Sequence, residues 1–152
     1  MKFKKILVST IAAAVLATTA SAAFAGEEAI EYRKAVMKAV GGHMKGMSMI
    51  LKGQAGDMSD IASHASAMAG LAKATETAFP KGSGPMDGKT EAKMEVWEKP
   101  DEFKKVTAVF VEYSNALAEA AKSGDKAAIG GALGALGKNA CKACHDGFRE
   151  KS

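Results

Sequence analysis

The only two thiols in this 152-residue chain fall in its last dozen residues, within Cys141-Lys142-Ala143-Cys144-His145. A Cys-x-x-Cys-His sequence reads as covalent attachment of c-type haem. Each thiol adds across one haem vinyl group and forms a thioether. Two intervening residues let both sulfurs reach one edge of the ring, and the next residue offers an imidazole to the iron as proximal ligand. Three other chemistries are weaker. A structural zinc wants four ligands, and this cluster supplies three. A thioredoxin-like redox pair opens a helix in a strand-containing fold, and nothing here predicts strands. A disulfide across two residues would close a loop too small to stabilise much.

The destination of those thiols is set at the other end of the chain. Lys2, Lys4 and Lys5 precede an uncharged apolar run, Ile6 to Leu16, and Ala23-Phe24-Ala25 supplies small residues at the two positions a signal peptidase reads. This is the layout of a secretory leader over residues 1–25, and it points to the periplasm. The apolar run is too short to cross a bilayer as a helix, so stable membrane insertion of the mature chain is not expected. Residues 26–152 then form one domain. The whole chain carries a net charge of +4; three lysines leave with the leader and no acid does, which brings the mature domain to +1. Its basicity therefore gives no support for a nucleic-acid partner.

Something must hold the haem edge, and the apolar spacing predicts helices. Ile30, Arg33, Met37, Val40, Met44, Met47 and Leu51 follow a three-four alternation. Ile61, Ala65, Met68, Ala72, Thr75 and Phe79 form a second stripe. Phe103, Val106, Phe110, Tyr113, Leu117 and Ala120 form a third, and Ile129, Leu133, Leu136, Ala140 and Ala143 a fourth. Four stripes of this period imply four amphipathic helices. Gly53 to Gly56 ends the first, with Asp57 or Ser59 capping the second. Pro80 is expected to stop the second. An irregular link follows, with a helical turn around Glu91–Glu98. Pro100 opens the third helix, and Ser123-Gly124-Asp125 turns into the fourth. The expected fold is all-α: an antiparallel up-down-up-down four-helix bundle enclosing one covalently bound haem. Gly130, Gly131, Gly134 and Gly137 lie in or just before the fourth helix. A chain accepts that cost when something bulky must approach the backbone, and the haem would be that group.

A leader, four helices and Cys-x-x-Cys-His near the C-terminus resemble the class II c-type cytochromes, the cytochrome c′ family. "EYRKAVMKAVGGHMKGMSMILKGQ" resembles the family's first helix, "EVWEKPDEF" its entry to the third, and "CKACHDGFRE" its haem-binding end. The resemblance implies one haem c, with Cys141 and Cys144 as its anchors and His145 as proximal ligand. It puts Met37 at the sixth position of the iron and an arginine, Arg149, near the proximal imidazole. Arg149 is equally readable as an exposed cation complementing the helix dipole. Arg33 is a charge on a buried stripe, which haem propionates would satisfy; the other reading has it snorkel at the bundle end.

The functional reading divides at Met37. Ligated by its sulfur, the iron would be a His/Met centre suited to electron transfer. The expectation from sequence is accordingly a periplasmic carrier of single electrons, not an enzyme, passing them between periplasmic or membrane-bound redox proteins. The alternative is a high-spin, five-coordinate cytochrome c′ that binds NO and CO, with Met37 beside the iron but off it. A haem-free metal-binding bundle is the third reading. His43-Met44 with Met47 and Met49 could attract Cu(I), but two of those methionines already belong to the core stripe. His43 and His64 read as solvated or locally hydrogen-bonded. Members of the resembled family are often homodimers.

Overall fold

The computed structural model describes residues 26–151. The secretory leader expected over residues 1–25 lies outside them. Helix α1 runs Gly26–Leu51, α2 Ile61–Thr75, the single turn α3 Glu95–Glu98, and α4 Pro100–Lys122. The last helix is composite: α5 Lys126–Ala135, a π-helical segment Leu136–Lys142, and α6 Ala143–Phe148. No strand occurs among the described residues; an isolated antiparallel bridge joins Ala92 to Arg149. Helix α2 packs on α1 and α4, α4 on the composite helix, and α5 returns to α1. That closed ring of chain neighbours is the expected four-helix bundle.

Local chemistry sets the turns. Gly53 takes φ +66°, where a side chain would strain the backbone. Its N–H donates to Ile50 O at 2.9 Å and that of Gln54 to Met49 O at 2.9 Å, the Schellman pattern that closes a helix C-terminus. Asp57 then caps a 3₁₀ turn, Met58–Asp60, by accepting from Ser59 N at 2.8 Å, while Asp60 accepts from Asp57 N at 3.2 Å. Pro100 occupies the first turn of α4, where its missing N–H costs nothing. Asp125 caps α5, its Oδ1 accepting from Ala128 N at 2.7 Å. Replacing Asp125 by alanine is expected to cost about 1 kcal/mol, read as a lower urea midpoint with an unchanged denaturant slope.

Two boundaries depart from the sequence reading. Helix α2 stops at Thr75, five residues before Pro80, in tightened turns where Glu76, Thr77 and Ala78 donate to Lys73, Ala74 and Thr75. Pro80 serves instead as an acceptor, its carbonyl taking Ser83 Oγ at 2.8 Å and Trp97 Nε1 at 3.0 Å. Ala143 is exposed, although the fourth stripe placed it inside. The π turn explains this. Its wider i→i+5 hydrogen bonding delays the phase of the helix, so Leu136 and Ala140 are buried, Cys144 follows half-buried on the inner side, and Phe148 is buried.

The interior has two parts. The larger joins Val40, Met47, Ile61, Met68, Phe110, Leu117, Ile129 and Leu136 at one end of the bundle. Full burial of such side chains stabilises by about 1.5–3 kcal/mol each. The smaller joins Ala92, Val96 and Phe148 with Phe79, Trp97, Phe103, Val106 and Cys144. Side chains of both clusters line the cavity described below.

Candidate haem-binding site

A cavity of about 750 Å³ opens between α1, α4, the irregular link and the composite last helix. That volume is within the range of sites for small molecules and cofactors, about 300–1,000 Å³. Cys141, Cys144 and His145 lie along one wall, from the end of the π segment into α6. Met37, Val40, Gly41 and Met44 of α1 form another, and Phe103, Val106, Thr107 and Phe110 of α4 a third. Phe79 and Phe148 extend the aromatic lining: Phe103 stands edge-on to Phe79, with centroids 4.8 Å apart, and to Phe148 at 5.2 Å. Edge-to-face rings at such distances hold each other in place.

The donor set fits haem c. Both thiols are half-buried in this apolar lining, and burial pushes them up, Cys144 to about 11 with Cys141 adding to the effect. They are neutral thiols at physiological pH, unlike the acidic cysteine of a redox pair. Burial, and then the nearby Arg149, pull the His145 imidazole down. The neutral ring that results is the form that gives a lone pair to a metal. The two thiols are i and i+3 neighbours, on the same side of the helix.

Arg33 lies inside the bundle rather than snorkelling at its end; it is 4% exposed. Nη1 donates to Ser83 Oγ at 2.9 Å, and Nη2 donates to Ser83 O at 2.7 Å and to Thr90 Oγ1 at 2.9 Å. Its guanidinium carbon stands 5.0 Å from the Phe79 centroid and 5.7 Å from that of Trp97. Desolvation lowers its pKa, yet a guanidinium stays charged. None of its hydrogen-bond partners is a carboxylate, so the charge lines the cavity uncompensated. Arg149 also lines the cavity, half-exposed, and pairs with Glu91: Nη2 at 2.5 Å and Nε at 2.8 Å from Oε2. Lys93 N donates to Phe148 O at 3.0 Å and Glu150 N to Glu91 O at 2.8 Å, which fastens the link to the chain end. Lys34, Lys38 and Lys89 add cationic side chains to the lining.

The structure thus brings Arg33, Met37, Cys141, Cys144, His145 and Arg149 to one cavity. It does not bring the glycines there. A Cβ added at Gly130, Gly131 or Gly134 would meet nothing within 4 Å, and at Gly137 only Met44 Cε at 3.8 Å. The expectation that they give a macrocycle access to the backbone is therefore corrected. The last helix faces inward through Ile129, Leu133, Leu136 and Ala140, and three of the glycines face open space. Sequence reasoning missed Phe79, Ser83, Thr90 and Glu91 as residues that build the site. Phe79 was read only as the end of the second stripe, and Ser83, Thr90 and Glu91 sit in the irregular link, where no period marks an inward face; the clustering of Phe79, Trp97 and Phe103 around it was the available signal.

The family model described as Cytochrome C' matches residues 28–149. The cytochrome c′ of Pararhodospirillum photometricum is 47% identical over 124 residues, 82% of this chain and 98% of that one. A solved cytochrome c′ described as having an unusual ligand-controlled dimer dissociation superposes with a TM-score of 0.78 at 30% identity, covering 86% of this chain and 100% of that one. A nitric oxide complex of a variant cytochrome c′ from Alcaligenes xylosoxidans gives a TM-score of 0.74 at 30% identity, covering 83% of this chain and 97% of that one. A further variant of that protein carries carbon monoxide. These findings overturn the expected electron carrier with a His/Met-ligated haem. The relatives are cytochromes c′, and solved variants of one of them hold NO or CO; a gas on the iron needs the coordination position that the Met37 sulfur would have filled. The fold, the apolar cavity beside Cys141-x-x-Cys144-His145 and the match over nearly all the described chain agree: the protein belongs to the cytochrome c′ family and carries one covalently bound haem c.

Proposed function

We propose that this chain is a high-spin cytochrome c′ that binds small neutral gases, NO and CO, and that it works in the periplasm. Haem supplies an iron with one coordination position available to a gas. Cys141 and Cys144 tether the haem edge, and His145 offers its neutral imidazole as the proximal ligand. Arg33 supplies an uncompensated cation at the cavity wall for a propionate, and Arg149, anchored by Glu91, stands beside His145. Met37 packs with Val40 and Met44 as an apolar cover on the α1 wall and leaves the iron alone. Such a surface offers no hydrogen bond to water or to an ion and so favours small neutral molecules.

The observation that carries the reading is the composition of the α1 wall. Its inward groups beyond the cationic rim are Met37, Val40, Gly41 and Met44. Both histidines other than His145 are paired with each other and lie off the cavity, so no second imidazole competes for the iron. On this reading the protein binds its ligand and does not transform it. The relative with a ligand-controlled dimer supports a homodimer here as well.

The reduced protein is expected to show one broad, merged visible band and a Soret band that moves when CO is added. Sharp, split bands indifferent to CO would refute the proposal. Met37→Ala should keep the same spin state and raise CO affinity about tenfold, equivalent to about 1.4 kcal/mol of relieved crowding. A change of spin state in that variant would show that the sulfur had been on the iron.

A further inference from the structure

Outside the haem cavity, α1 and α2 bring two histidines face to face. His43 Nδ1 lies 2.8 Å from His64 Nδ1, the ring centroids are 5.0 Å apart, and the planes are inclined at 70°. Neither residue lines the cavity. We propose that His43 and His64 form a two-nitrogen chelate for a divalent first-row transition ion, copper(II) foremost.

The separation is the first argument. With metal–nitrogen bonds of about 2.0 Å, two nitrogens at a right angle about an ion are about 2.8 Å apart, and a tetrahedral angle opens them to about 3.3 Å. The pair therefore has the spacing of adjacent corners of a square-planar site, the geometry that copper(II) prefers; the 5.0 Å centroid distance sets the two nitrogens head-on, so both rings tilt to turn their lone pairs onto one ion. The order of divalent-ion affinities at nitrogen sites also peaks at copper.

Preorganisation is the second. One turn from His43, Met47 is fully buried; around His64, Ile61, Ala65 and Met68 are buried to within 1%. The core thus fixes both backbones before any ion arrives, which removes most of the ordering cost of binding. Gly46 completes the arrangement. A Cβ there would stand 3.1 Å from His64 Cε1, so the missing side chain makes room for the imidazole against α1. A helical glycine costs stability relative to alanine, and here the space it leaves is used by the ring.

The proton count closes. The ring-to-ring hydrogen bond requires one Nδ1–H donor and one Nδ1 acceptor. To hold the ion, the donor ring moves its proton through water from Nδ1 to Nε2, both rings stay neutral, and no proton is released. Among the described residues no third His, Cys, Asp or Glu joins the pair. Water fills the remaining positions, and exchangeable rather than permanent binding follows.

Copper(II) sulfate titrated into the ferric, haem-loaded protein tests this. The wild type should take up one equivalent with a copper EPR signal split by two nitrogens, while the haem signal stays unchanged. His43→Ala and His64→Ala should each weaken binding at least about tenfold, because the second ligand acts at high effective concentration. The double variant sets the background from other donors. Glutamine variants replace the alanines if haem spectrum or thermal midpoint shows a folding defect. Equal affinity in wild type and double variant, or a one-nitrogen copper signal in the wild type, would overturn the proposal.

Discussion

A Cys141→Ser/Cys144→Ser double variant, produced in a host that matures c-type cytochromes, is expected to emerge with the mass of its polypeptide alone and no covalent Soret absorbance. The effect is all-or-none because serine cannot form the thioethers. Each single variant keeps one sulfur and should retain haem through one bond, in lower yield. His145→Ala is the informative control: it should keep the covalent mass and lose the proximal nitrogen, which the spectrum reports. The structure adds a reason to expect a clean result. Both thiols are half-buried among apolar groups and held neutral, so neither is consumed as a thiolate before haem arrives. A double variant with haem still covalently bound would remove the basis of the site assignment.

Arg33→Met is expected to have the next largest effect, a loss of about 2–4 kcal/mol in urea unfolding of the haem-loaded protein. Hydrogen bonds to a charged group contribute about 1.5–3 kcal/mol each, and Ser83 O would be left buried without its donor. Relief of guanidinium desolvation offsets part of that loss. Methionine fills similar volume, so the cost reports the polar network and not a void. The damage should be local: Arg33 ties α1 to Ser83 and Thr90, and proteolysis between residues 80 and 94 should speed up. Arg33→Lys should rescue only in part, because an ammonium lacks the planar fork that serves Ser83 and Thr90 together. Unchanged stability in the methionine variant would show that the guanidinium contributes nothing net.

The four helices were legible because burying one face imposes a period. The second stripe, Ile61 to Thr75, matches the buried set of α2 residue for residue. In the third, Phe110 and Leu117 are buried as read, joined by Thr107, Ser114 and Ala121, while Phe103 and Val106 are only half-buried and line the cavity. A helix serving both core and cavity has two inner faces, and large apolar residues alone do not separate them. Cys141, Cys144 and His145 were recognisable as candidates because covalent chemistry dictates their spacing, and the structure sets them along one cavity with Met37. The role of Met37 was not legible, since a sequence shows a thioether without its distance from iron. The His43–His64 contact joins residues on different helices and appears only once those helices pack. The link, which contributes Ser83, Thr90 and Glu91, has no period to read.

The π turn has a consequence for any search by pattern. Wound at ordinary α pitch with every residue kept, the segment Leu136–Lys142 would swing everything downstream by about 100° around the axis. The pentapeptide would survive letter for letter, yet its sulfurs would be carried away from the inner wall. Haem loading in this bundle thus depends on a rotational offset stored upstream of the signature, and two chains with identical signatures need not both be able to hold the cofactor.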